Sequence, residues 1–152
     1  MPADPLTVLS PDSRNFRPFG KIIEYPNKES RGRSRNLWRI VHTENAKTGW
    51  RVAYLVLRDK TIGRLECHPY SDETFEPVRG RALMFISASR QLGEIRCFKI
   101  DKPLIVHKGV WHGLVAVDDE AEIKITENAK VKCVYWPFGF RVRTAANFLK
   151  RV

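Results

Sequence analysis

Two of the four histidines in this chain, His68 and His112, stand at the edges of apolar or alternating segments rather than in polar loops. If Arg64 to His68 is extended, its side chains alternate between faces, so Arg64, Glu66 and His68 share one side and Leu65 and Cys67 the other. Three ionisable residues on one face suit a lined cavity or solvent better than a packed core. His112 opens the apolar run Gly113 to Val117, just after the turn marked by Gly109. Neutral imidazoles with one or two carboxylates make a site for zinc, nickel, manganese or ferrous iron. The same imidazoles, working without a metal, suit general acid–base catalysis because histidine titrates near neutral pH. The residue types leave both chemistries open.

These side chains need a scaffold, and the pattern from Trp50 onward supplies one. Short apolar or alternating runs cover Arg51 to Arg58, Gly63 to His68, Arg81 to Ser89, Glu94 to Ile100, Gly113 to Val117, Glu122 to Thr126 and Val131 to Trp136. Turn-rich pieces such as Pro69 to Asp72, Arg90 to Gly93 and Asp118-Asp119 separate them. Short strands at near-regular spacing predict an all-β sandwich or barrel, with His112 reaching its mouth. Upstream, Phe16 to Pro26 reads as a turn followed by a short strand, and Leu37 to His42 as another strand. Phe75 and Pro77 read as packing and turn residues. Residues 1–15 read as an irregular arm and residues 16–152 as one domain. Thr144 to Val152 carries apolar residues at helical spacing and predicts a short closing helix.

Composition narrows the classes further. The 152 residues are 43% hydrophobic and 29% charged, ordinary values for a soluble globular domain. No apolar run approaches the roughly 20 residues of a spanning helix, and Met1 to Ser10 lacks the layout of a signal peptide, so the expected compartment is the cytoplasm. Cys67, Cys97 and Cys133 are odd in number and unpaired in spacing, which predicts free thiols rather than a disulfide framework. The net charge of +10 favours anionic partners. Its densest cluster, Arg31, Arg33, Arg35 and Arg39, reads as a solvated loop, and the absence of a nucleic-acid-binding module argues for a small anionic metabolite as the partner.

The string Glu66-Cys67-His68, followed by Glu73 and Gly80, resembles the first motif of the cupin superfamily, with Glu66 where a histidine is usual. His107-Lys108-Gly109-Val110-Trp111-His112 resembles the second motif, about one β-hairpin later. Within that superfamily, Phe16 to Glu24, Glu66 to Pro69, Phe75 to Pro77, and His107 through Trp111-His112 are similar to ureidoglycolate lyases. The resemblance implies an RmlC-like jelly-roll barrel, a homodimer, and cleavage of ureidoglycolate into glyoxylate and urea. It departs at Cys67, where the family usually has arginine, and at Gly113, where a second histidine often follows the first.

The resemblance implies roles for named residues. His68, His112 and Glu66 are the candidate catalytic groups. His68, His112, Glu66 and Glu73 are the candidate ligands of a divalent metal, if the site holds one. Arg64, Lys108, Trp111 and His107 are the candidate substrate contacts, with Arg64 or Lys108 meeting a substrate carboxylate. The other functions open to such a barrel are a metal-dependent cupin enzyme of different specificity and a non-catalytic binder of small ligands.

Overall fold

The structure, a computed structural model, describes residues 6–24, 41–45 and 47–143. Eleven strands run through them: β1 (Val8–Leu9), β2 (Gly20–Ile22), β3 (Trp50–Leu57), β4 (Thr61–Cys67), β5 (Glu73–Arg79), β6 (Ala82–Ser87), β7 (Arg96–Lys99), β8 (Leu104–Val106), β9 (Trp111–Ala116), β10 (Ala121–Asn128) and β11 (Val134–Arg143). They form a six-stranded sheet in the order β1-β7-β6-β9-β4-β11 and a five-stranded sheet in the order β2-β8-β5-β10-β3. The pairings are antiparallel apart from β1 with β7.

The two sheets bury their faces differently, and the sequence periods show why. In β10, Ala121, Ile123 and Ile125 are buried while Glu122, Lys124 and Thr126 point away, the alternation of a sheet with one wet face. β6 is buried at every position. Its Ala82, Met84 and Ile86 join the core between the sheets, with Phe16, Phe75, Phe98 and Leu104. Its Leu83 and Phe85 join a second core on the outer face, where Val8, Leu65, Cys67, Trp111 and Val115 pack. Leu6, Trp136 and Phe138 lie against that outer core. A continuous apolar run, rather than alternation, is the signature of such a doubly covered strand.

Two segments differ from the sequence reading. Glu73–Arg79 is a full strand, and Pro77, expected in a turn, pairs with Ile123 beside a register shift at Glu122/Ile123. A bulge is one of the few places in a sheet that accepts proline. Leu104–Val106 is a strand too, although the sequence showed no alternation there. All three of its residues are buried, so its pattern is too short and too apolar to carry a period. His42 is not in a strand. The closing helix expected over Thr144 to Val152 and the basic cluster at Arg31, Arg33, Arg35 and Arg39 lie outside the described residues.

Backbone approach fixes β2 against β8. A side chain on Gly20 would land on the Ile105 carbonyl oxygen, which as ladder backbone cannot move aside. Gly93, in the turn before β7, has open space around it. Gly20→Ala should therefore lower stability by about 2–3 kcal/mol, as overpacking does, whereas Gly93→Ala should shift it by about 0.5 kcal/mol or less. Urea midpoints of the two variants check this, and equal midpoints would show that β2 is not held in this register.

Candidate functional site

The site forms where three strands meet across the barrel. β4 and β9 pair at Glu66 opposite His112, which puts both side chains on one face. His68 follows β4 two residues beyond Glu66 and shares that face. From the other sheet comes Glu73, the first residue of β5. Its Oε2 lies 3.2 Å from His68 Nε2 and 3.0 Å from His112 Nε2, and the Glu66 Oε1 is 3.8 Å from His112 Nε2. His68, Glu73 and His112 are buried, whereas the Glu66 side chain is 39% exposed.

Each imidazole is oriented from behind by a backbone carbonyl. His68 Nδ1 lies 3.1 Å from the Lys132 carbonyl oxygen, and His112 Nδ1 lies 3.1 Å from that of Val110. A carbonyl only accepts, so both Nδ1 atoms donate and both Nε2 atoms face Glu73. This is the arrangement in which a histidine presents a lone pair to a metal, its tautomer fixed by the outer hydrogen bond. Glu73 Oε2 and His112 Nε2 are buried without a well-formed hydrogen bond. Glu66, His68 and His112 bring three donor atoms within 4.8 Å of one another, and His68, Glu73 and Glu127 form a second such group. Orphaned polar atoms and a set of imidazole nitrogens and carboxylate oxygens fit a divalent ion, with His68, His112, Glu66 and Glu73 as the residues able to hold it.

Without an ion, a proton serves the same cluster. Burial works against a charge on His68, but the Glu73 carboxylate 3.2 Å away outweighs it and raises the pKa from 6.5 to about 9. Burial likewise pushes Glu73 up, and the two imidazoles overcome it, lowering the carboxyl from 4.5 to about 2. The protonated His68 and ionised Glu73 thus form a buried pair joining the two sheets.

A cavity of 530 Å³ opens beside the cluster, lined on one side by Glu66 and His112. Arg64, expected to contact substrate, lines it too, with its guanidinium 4.1 Å over the Tyr135 ring. So does Arg141 of β11, which no motif marked. Its approach depends on a register shift between Pro137 and Val142, which spacing in the sequence does not reveal. Gly113 also lines the cavity, and the Ile62 side chain occupies the space where a side chain at 113 would go.

The other expected substrate contacts are elsewhere. Trp111 is in the outer core, edge-on to Trp136 and under the Arg90 guanidinium. Its neighbour His112 faces inward, so strand alternation sends Trp111 outward. The Lys108 ammonium is near Glu44, at 3.8 Å, and its backbone N–H donates to Asp72. His107 Nδ1 is 3.8 Å from Asp72, whose other oxygen lies 3.1 Å from His42 Nε2. That pair of histidines is a separate cluster on the loops, outside the cavity lining. Cys67, where the sequence departs from the resembled motif, is buried in the outer core and faces away from the site. Cys133 is the thiol that reaches it, its Sγ donating to Glu66 Oε2 at 3.3 Å. All three cysteines are free.

Two mainly antiparallel sheets thus frame ligand-type side chains that enter from both motif segments. No protein-family model matches the chain. It is similar to the ureidoglycolate lyase of Brucella anthropi, with 27% identity over 139 residues, spanning 80% of this chain and 82% of that protein. Among solved structures, L-ribose isomerase of Cellulomonas parahominis superposes with a TM-score of 0.47 at 10% identity, over 55% of this chain and 51% of that one. Oxalate decarboxylase of Bacillus subtilis gives 0.45 at 18% identity, over 60% of this chain and 24% of that one. The chain thus spans about half of the isomerase and a quarter of the decarboxylase. No helix among the described residues is long and apolar enough to cross a membrane.

The cluster's pH response follows from the direction of each shift. His68 holds its proton more tightly folded than unfolded, so its contribution is complete below pH 6.5 and lost as pH rises through about 9. Glu73 contributes fully above 4.5 and loses that as pH falls through about 2. Metal-free protein should therefore lose stability between pH 6.5 and 9, and His68→Gln should remove that alkaline loss, read from urea midpoints across pH. Metal binding must displace the same proton, so zinc affinity should climb by up to about tenfold per pH unit over that range. A flat affinity would exclude His68 as a ligand.

Proposed function

We propose that this chain is a carbon–nitrogen lyase acting on a small carboxylate, cleaving ureidoglycolate into glyoxylate and urea. The observation that carries the reading is Glu66, a partly exposed carboxylate between a buried imidazole and a cavity lined by two guanidiniums. The similarity to ureidoglycolate lyase supports the choice of reaction.

The reaction is an elimination. The substrate carbon carries a hydroxyl, a carboxylate and the urea nitrogen. Losing the hydroxyl proton lets the oxygen's electrons form the carbonyl as the carbon–nitrogen bond breaks, and the departing nitrogen must gain a proton. No water is consumed, so one group can do both tasks. Glu66 is placed for this, taking the proton from the hydroxyl and returning it to the nitrogen. Cys133 holds one Glu66 oxygen by a hydrogen bond, which orients the carboxylate and leaves Oε1 toward His112. His68, Glu73 and His112 form the rigid floor, with both imidazoles locked by carbonyls. A divalent ion held by His68, His112, Glu66 and Glu73 would supply a Lewis acid that favours ionisation of the substrate hydroxyl; zinc, nickel, manganese and iron all suit this donor set. Glu66 would then be a loosely held member, consistent with its greater distance from the histidines.

A homodimer belongs to the same proposal. Trp50, Val52, Tyr54 and Val56 form an exposed apolar stripe along β3, the end strand of its sheet, and such an edge is commonly covered. A monomeric mass at micromolar concentration would remove this part of the reading.

The decisive assay is ureidoglycolate turnover by purified protein, with the metal content of the same sample measured. Glu66→Gln should lower kcat by about 10²–10⁴-fold while the fold and the urea midpoint hold. His68→Ala should abolish turnover and metal retention together. Robust turnover by Glu66→Gln would reassign the proton transfer, and absence of turnover in native protein with bound metal would favour a different cupin reaction.

A further inference from the structure

We infer that Arg64 and Arg141 together form an anion subsite that takes the substrate by its carboxylate, with the adjacent carbon against Glu66 and His112. The inference rests on the lyase reading above and narrows its substrate class to carboxylates bearing a reactive group on the next carbon.

Four observations carry it. Arg64 and Arg141 line the same 530 Å³ cavity as Glu66 and His112, a volume typical of small-molecule sites. Neither makes an ion pair among the described residues, although Asp59 and Glu66 line that cavity as well. Both are solvent-exposed, and each makes one contact with a neighbouring side chain. Arg64 lies over the Tyr135 ring, and Arg141 Nε donates to Thr61 Oγ1 at 2.8 Å. That single bond fixes the Arg141 plane while leaving both terminal nitrogens to donate, the fork that matches a carboxylate.

The backbone shows how Arg141 comes to be there. Pro137 pairs with Arg64 and Val142 with Ile62, so Phe138 to Arg141 are extra residues opposite Gly63. Gly139 adopts φ +79° within this excursion. The Arg141 side chain lies over Gly63, close to where a Cβ would stand. Bulges of this kind re-aim a side chain, and here the one re-aimed is a cation that joins Arg64 in lining the cavity.

The test is calorimetric binding of glycolate and of its neutral analogue glycolamide to the purified full chain, with metal content measured for every variant. Native protein should bind glycolate at least tenfold more tightly than glycolamide. Arg141→Met should weaken glycolate about ten- to hundredfold and leave both glycolamide binding and metal content unchanged. Arg141→Lys should restore only part of the affinity, because lysine lacks the fork. Arg64→Met, which changes the other side of the subsite, should act in the same direction and decides the matter if Arg141→Met does not fold. Glycolate affinity within twofold of native in Arg141→Met or Arg64→Met, or equal affinity for glycolamide in native protein, would overturn the inference. Arginine-dependent glycolate binding without ureidoglycolate turnover would sink the lyase reading and keep the subsite. Turnover with arginine-independent binding would do the reverse.

Discussion

The carboxylate of Glu73, buried between two imidazoles from the opposite sheet, is the interaction on which the site depends. A lone carboxylate at that depth would be forced neutral. The two histidines instead hold it ionised, and it in turn holds a proton or a metal between them. The arrangement depends on the Nδ1 atoms of both rings being already committed. The Lys132 and Val110 carbonyls take the Nδ1 protons, so neither ring can turn away from Glu73. A buried ionic cluster is a costly way to join two sheets, and apolar side chains would do so more cheaply. Its place beside a cavity points to chemistry rather than stability.

The two hydrophobic cores divide the remaining work. The core between the sheets sets the distance between β4 and β5, hence the distance between the imidazoles and Glu73. The outer core makes the six-stranded sheet rigid from behind, packing Leu65 and Cys67 on the reverse of the strand that carries Glu66. With β6 buried throughout and Trp111 and Val115 of β9 packed in the outer core, β9, which presents His112, has little freedom to move.

Much of this was legible in the residues. Alternation in Arg64 to Cys67 gave the correct faces, because a strand covered on one side by an apolar core must alternate. The runs that became β3, β4, β6, β7, β9 and β10 were visible as alternating or, for β6, continuous apolar segments, and β11 in part. β8 was not, being too short to show a period, nor was β5, whose proline sits at a bulge. In the site, His68, Glu66 and His112 could be joined through strand geometry, and Glu73 through its motif position. Trp111 was misplaced because adjacency in sequence means opposition across a strand. Lys108 and His107 belong to the turn that Gly109 creates, and turns leave the barrel wall. Arg141 was invisible, since its place depends on a register shift between β11 and β4 that no single-strand pattern records.

That register shift has a consequence for how the molecule can change over time. Arg141 reaches the cavity wall from a stretch, Phe138 to Arg141, that is not paired rung by rung to β4, so insertions and substitutions there leave the Glu66–His112 rung in place. The chemistry of the buried cluster and the choice of molecule presented to it are thereby carried by different stretches of chain. Selection can redraw the cavity wall at β11 while the proton- or metal-holding centre stays fixed, and one barrel can give rise to descendants that handle different acids with the same floor.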